Sequence, residues 1–177
     1  MRSSYFLALL GFLFVFQSCS KKNMTMTEDE MLAVAAPFIQ VNDFIDDWHK
    51  AAADADATAY FGALHDDSYF IGTDASEVWT KQEFYDFAKE YFDKGKAWDF
   101  TSKSRNLHFS EDGKYAWFDE LLDTWMGECR GSGVLQYDKK DNTYKIKHYV
   151  LSLAVPNDKI NEVIGAIGMV EPRESNE

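Results

Sequence analysis

The residues best equipped for chemistry lie in three short segments: AWFDE at 116–120, RGS at 130–132 and YKIKHYVLS at 144–152. The last alternates in the manner of a strand, so Ile146, His148, Val150 and Ser152 should share one face, with Lys145, Lys147, Tyr149 and Leu151 on the other. The lysine pair argues that the first set points inward. His148 would then be an imidazole in an apolar stripe, able to act as acid or base near neutral pH. A buried, hydrogen-bonded histidine without turnover is the simpler reading, because one imidazole without a placed partner is not a mechanism. In AWFDE, Asp119 and Glu120 alternate, so only one can face inward, and the pattern leaves open which. An inward carboxylate under aromatic walls could be a general base for an acidic C–H, or it could pair with Arg130 on the adjacent strand. The ion pair is favoured, since buried charges are seldom left alone. Arg130 and Ser132 share a face and could otherwise recognise a carboxylate on a ligand.

Tyr69, Trp79, Tyr91, Trp98 and Trp117 supply aromatic surface for a flat or apolar ligand, whereas Phe84, Phe87 and Phe92 follow helical spacing and read as core. The expected ligand-binding set is Tyr69, Trp79, Tyr91, Trp117, Glu120, Arg130, Ser132 and His148. Asp66, Asp67, Asp74 and Glu77 cluster without the spacing of a calcium loop, so neither metal nor cofactor is expected. Cys129 reads as a small buried hydrophobe.

The elements that must hold these residues are helices first and strands after. Thr27 and Glu30 make a capping-box pattern ahead of a long helix whose Val41, Phe44, Ile45 and Trp48 fall on one stripe, with Pro37 as its kink or true start. A short helix over 56–64 and a brief strand SYFIGT follow. Thr80 and Glu83 repeat the capping pattern before a helix that ends at Gly95. From Trp98 the period becomes two, with turn signals separating strands near 98–109, 114–126, 128–137 and 144–155. Such strands form an antiparallel meander, and the preceding helices must cover one face of it. The class is α+β. A last helix is expected within NDKINEVIGAIGMV.

At the N-terminus, Arg2, the apolar run Phe6–Phe16 and Gln17-Ser18-Cys19 have the anatomy of a secretory signal, too short to remain as a spanning helix. FQSC resembles a bacterial lipobox, which makes Cys19 the expected lipidation site and 19–30 a polar tether. Ser20 resembles an outer-membrane sorting signal, so the expected location is the envelope of a bacterium, on the outer membrane facing the periplasm. Losing Arg2 and no acid with residues 1–18 takes the formal net charge from −12 to −13. So acidic a surface disfavours nucleic acid as a partner.

GTDASEVWTKQEF at 72–84, AWFDE, RGSGVLQY at 130–137 and YKIKHYVLSLAVPND together resemble the cone-shaped domain of SnoaL-like proteins and nuclear transport factor 2 over roughly residues 38–158. The resemblance implies a curved antiparallel sheet, covered on one face by the N-terminal helices, around an apolar cavity. The domain would span 31–165 and the tail 166–177. Val150 stands where the last strand of that family often carries a second histidine. The expected function is non-catalytic binding of a small, partly apolar ligand by a domain anchored to the membrane through Cys19. The alternative is an isomerase, dehydratase or cyclase using His148 with Asp119 or Glu120, and Arg130 or Tyr69 to stabilise an enolate oxygen. Related domains pair sheet to sheet, so a homodimer is expected through Tyr149, Leu151, Leu153 and Val155.

Overall fold

The computed structural model describes residues 27–168, so the signal segment, Cys19, most of the tether and the end of the tail lie outside the described residues. Helix α1 is Glu28–Ala53, opened by the Thr27–Glu30 capping box that the sequence suggested. Pro37 neither starts nor ends it; the helix runs through. Asp56 caps the short α2, Ala57–Gly62, through a bond from the Ala59 amide at 2.9 Å. Leu64, expected to end that helix, begins β1, Leu64–Ile71. Strand β2, Val78–Thr80, delivers Thr80 as the cap of α3, Lys81–Asp93. Gly95 follows with φ 71°, a left-handed conformation that suits glycine.

The meander is β3 (Thr101–Phe109), β4 (Tyr115–Thr124), β5 (Gly127–Asp138) and β6 (Thr143–Leu153). One sheet results, in the order β2-β1-β6-β5-β4-β3. It is antiparallel except where β1 runs parallel to β6. After β6, a 3-10 turn at Asn157–Lys159 leads to α4, Ile160–Ala166. Helices α1–α3 close over the inner face of the sheet. Val41, Ile45 and Trp48 of α1, Tyr60 of α2 and Phe84, Ala88 and Phe92 of α3 pack there with Phe118, Leu122, Leu135, Ile146 and Tyr149.

The facing of β6 departs from simple alternation. Leu135 pairs with Ile146 and Val134 with His148, which leaves Lys147 as an extra residue. This is a β-bulge, and it inverts the parity of everything after it. Tyr144 and Ile146 are buried before the bulge, Tyr149 and Leu151 after it. The expectation that Ile146, His148 and Val150 share the inward face therefore fails: His148 and Val150 lie on the outer face. Tyr149 and Leu151, expected on the outer face with Leu153, are core. A second correction concerns Phe87, which is 43 % exposed although its helical spacing read as core.

Candidate functional site

Of the two carboxylates in AWFDE, Glu120 points inward and is 1 % exposed. Its Oε1 accepts from His49 Nε2 at 2.7 Å and from the Tyr149 hydroxyl at 3.3 Å. Its Oε2 accepts from Arg105 Nε at 3.0 Å and Nη2 at 2.8 Å, so both arms of the guanidinium close on one oxygen. Arg105 also donates through Nη1 to the Asn42 carbonyl and side chain, and through Nη2 to Asp46 at 2.7 Å. These bonds occupy all five N–H groups of the guanidinium. Burial works to raise the Glu120 pKa, but the bond and charge of His49, joined by Arg105, outweigh it and hold the carboxyl below its ordinary value. Burial pushes the Tyr149 phenol well above its ordinary range, so it remains a donor.

Two glycines of the RGSG segment make room for this cluster. A Cβ on Gly131 would lie 2.2 Å from the Tyr149 hydroxyl, and one on Gly133 would lie 2.7 Å from the Phe118 ring. Between Cys129 and Leu135 the inner series of β5 is thus reduced to backbone at two successive positions, so that neighbouring rings can cross it.

Asp119 faces the other way. It pairs with Arg130 at 3.1 Å and accepts from Asn106 Nδ2 at 3.2 Å, so the carboxylate–arginine pair expected across adjacent strands forms on the outer face. Tyr69, Trp117, Ser132 and His148 lie on that face as well. His148 stands opposite Tyr69 on one side and Val134 on the other, and Val134 stands opposite Trp117. Asp119 is two strands from β6, a separation of roughly 10 Å at the usual strand spacing. Neither His148 with Glu120 nor His148 with Asp119 is brought within hydrogen-bond reach by this arrangement.

Among the depressions on the helix-covered side, two adjoin the residues described above or the aromatic helix α3. A polar cleft of about 490 Å³ lies between α1 and β3, lined by Asn42, Asp46, His49, Lys50, Ser102, Lys103 and Arg105 among others. A smaller mouth of about 140 Å³ is lined by Phe70, Trp79, Phe84, Phe87, Trp98, Phe100, Trp125, Met126 and Leu151, with Gly72, Thr73 and Glu77. Trp79 stacks on Phe84 (centroids 5.6 Å, 16°) and on Phe87 (4.6 Å, 21°). Trp125 occupies the two-residue turn between β4 and β5, where Thr124 Oγ1 accepts from the Met126 amide at 3.0 Å, and it is 80 % exposed. Of the expected ligand-binding residues, Trp79 lines this mouth and Glu120 lies buried in the core. Tyr91 sits beside Phe87 on α3 at 5.7 Å, and the other five occupy the outer face.

Sequence reasoning missed His49, Arg105 and Tyr149 around Glu120, and Phe87, Phe100 and Trp125 at the mouth. Arg105 carried a readable signal: in TSKSRNLHF it shares parity with Leu107 and Phe109, which marks a cation in an inward series that needs a buried acid.

No curated protein matches the sequence. Among solved structures, an NTF2-like protein of unknown function from Pseudomonas putida superposes with TM-score 0.58 at 13 % identity, over 71 % of this chain and 92 % of that one. An NTF2-like protein from Cytophaga hutchinsonii gives 0.54 at 15 % identity, over 73 % and 100 %. The association domain of C. elegans CaMKII gives 0.55 at 14 %, over 68 % and 98 %. At these identities the likeness speaks for the fold. A family model, the SnoaL-like domain, matches residues 41–156, which is most of the described chain, and the protein belongs to that family.

Proposed function

We propose that this SnoaL-like domain binds a small, predominantly apolar ligand at its aromatic mouth without turning it over, and does so at a bacterial envelope membrane to which Cys19 is lipidated. The observation that carries the binding reading is Trp125: an indole left 80 % exposed on a tight turn, beside a stacked wall of Trp79 and Phe87. A concave apolar site with a few polar groups, here Thr73 and Glu77, is the usual small-molecule site. The non-catalytic reading is supported by the saturation of Glu120. A carboxylate that accepts four hydrogen bonds and is held in its charged form has no free lone pair for proton abstraction. Anchoring is supported by the signal and lipobox pattern; among the described residues no helix is long and apolar enough to cross a membrane.

The test is mass spectrometry of small molecules retained by natively purified protein. Trp125→Ala removes an exposed side chain, so the fold should survive while retention falls about tenfold, the loss expected when an indole face no longer covers apolar ligand surface. His148→Ala should leave retention unchanged. Retention that is indifferent to Trp125 but lost with His148 would move the site to the outer face of the sheet and overturn the proposal.

A further inference from the structure

The first three turns of α1 carry an apolar surface that the domain does not use. Met31, Leu32, Val34 and Ile39 are 56 %, 62 %, 60 % and 52 % exposed, within a run MLAVAAPFI that contains no charge. Further along the helix, Val41, Ile45 and Trp48 turn towards the sheet and are buried. At about 100° per residue, Leu32 and Ile39 lie on nearly the opposite side of the helix from those three. Leu32 and Ile39 therefore point away from the core, Val34, seven residues before Val41 on the core side, is exposed as well, and the apolar surface ends where Asp43 and Asp47 take over the exposed side. Phe38 contacts the domain, edge-on to Phe109 at 4.8 Å, which fixes this segment to the end of β3.

We propose that this facet of α1 lies on the surface of the bilayer that holds the lipid on Cys19, as an interfacial helix beside the anchor. The inference rests on the anchoring reading above. Cys19 to Thr27 is eight residues, and fully extended they reach at most about 28 Å. A lipid on Cys19 thus keeps the start of α1 within that distance of the headgroups, and the apolar facet is the part of the domain nearest to them. A helix buries exposed apolar side chains at the headgroup boundary with a strength that grows with the apolar area it can insert. Charge narrows the surface further. Glu28, Asp29 and Glu30 precede the facet and Asp43 and Asp47 follow it, five acids that outnumber Lys21 and Lys22 of the tether, so it suits a bilayer of zwitterionic headgroups. The same acids disfavour a second copy of the helix as occupant. Parallel packing sets Asp43 against Asp43, and antiparallel packing sets the acidic first turn against Asp43 and Asp47.

The test uses the processed protein reconstituted in phosphatidylcholine vesicles, with an environment-sensitive fluorophore on Ile39→Cys. Cys129 is fully buried and Cys19 is consumed by the lipid, so labelling is selective. A label on Asp47→Cys, two turns further along the exposed side, is the control. Iodide should quench position 39 about fivefold less than position 47, and Leu32→Glu, seven residues before the probe on the same facet, should abolish the difference. Intact mass reports the acyl chains independently of quenching. An acylated protein whose position 39 is as accessible as position 47 overturns the docking and leaves the anchor standing. An unacylated protein that does not float with the vesicles removes both. Shielding that appears without vesicles and grows with protein concentration assigns the facet to self-association instead, and also overturns the proposal.

Discussion

Arg105 and Glu120 show how a few polar atoms can be placed at the edge of an aromatic core with their hydrogen bonds met by neighbouring groups. The guanidinium side chain is 5 % exposed and the carboxylate 0 %, and each is the other's buried countercharge. Removing one partner is costly because the other remains. Glu120→Gln keeps the size but takes away the charge, leaving Arg105 with Asp46 alone as its acid, and that carboxylate is 62 % exposed. The expected loss is about 3–5 kcal/mol in urea denaturation at pH 7. The pH dependence has a definite sign. With the folded-state pKa of Glu120 below its ordinary 4.5, the unfolded chain binds the extra proton first. The stabilisation is fully present above that ordinary value and is lost as pH falls through the lowered one. Melting temperatures measured from pH 6 to pH 3 should fall on the acid limb in the wild type, and that limb should be shallower in Glu120→Gln. Equal slopes would mean that Glu120 is not the group being titrated.

Strands β5 and β6 work as a pair in which one gives up side chains so that the other can use large ones. Gly131→Ala would place a Cβ 2.2 Å from the Tyr149 hydroxyl and 3.0 Å from its Cζ. Overpacking of this kind costs about 1–3 kcal/mol. Tyr149→Phe removes the nearer of those two atoms, so the double variant should be more stable than the sum of the single effects predicts. Additive effects in thermal melts would show that the clash is relieved elsewhere. The same strands mark the boundary of what the sequence made legible. Both capping boxes, the helices-then-strands order and the antiparallel meander were readable, because caps and periodicity are local. The bulge at Lys147 was not: it is set by pairing with β5 and β1, and one unpaired residue reverses every later side chain on the strand. For that reason His148 was expected inside and Tyr149 outside. The site suffered most from this, since Glu120 depends on α1 and β3, elements distant in sequence, and Trp125 depends on how a turn folds back over α3. The alternation of AWFDE did establish that one carboxylate had to be inward, and only the assembled sheet distinguishes Glu120 from Asp119.

At the scale of the whole molecule, the sheet's outer face is left uncovered by α1–α3, and its surface suits a second copy of the chain. Trp117, 45 % exposed, and Tyr69, 49 % exposed, lie in one row across the sheet with His148 and Val134 between them. The adjacent row carries Val78, Ile71, Val150, Ser132 and Asp119. A two-fold interface brings a patch against itself, so it is satisfied best by a surface that holds apolar groups together with both signs of charge. Arg130 and Asp119 provide those charges at 3.1 Å on the same face and could exchange partners across a two-fold axis. Homodimerisation is therefore proposed through this outer face, with the two-fold axis placed near Trp117 at one end of the row, and not through Tyr149 and Leu151, which the bulge turns into the core. Trp117→Asp should give a monomer, because it sets a carboxylate opposite its own copy and beside Asp119, while the fold tolerates a polar residue at an exposed position. Light scattering at micromolar concentration decides it. A dimer mass for wild type with a monomer mass for Trp117→Asp is the expected result; a monomer mass for the wild type would refute pairing at that concentration, and a dimer that survives the substitution would place the contact on another surface.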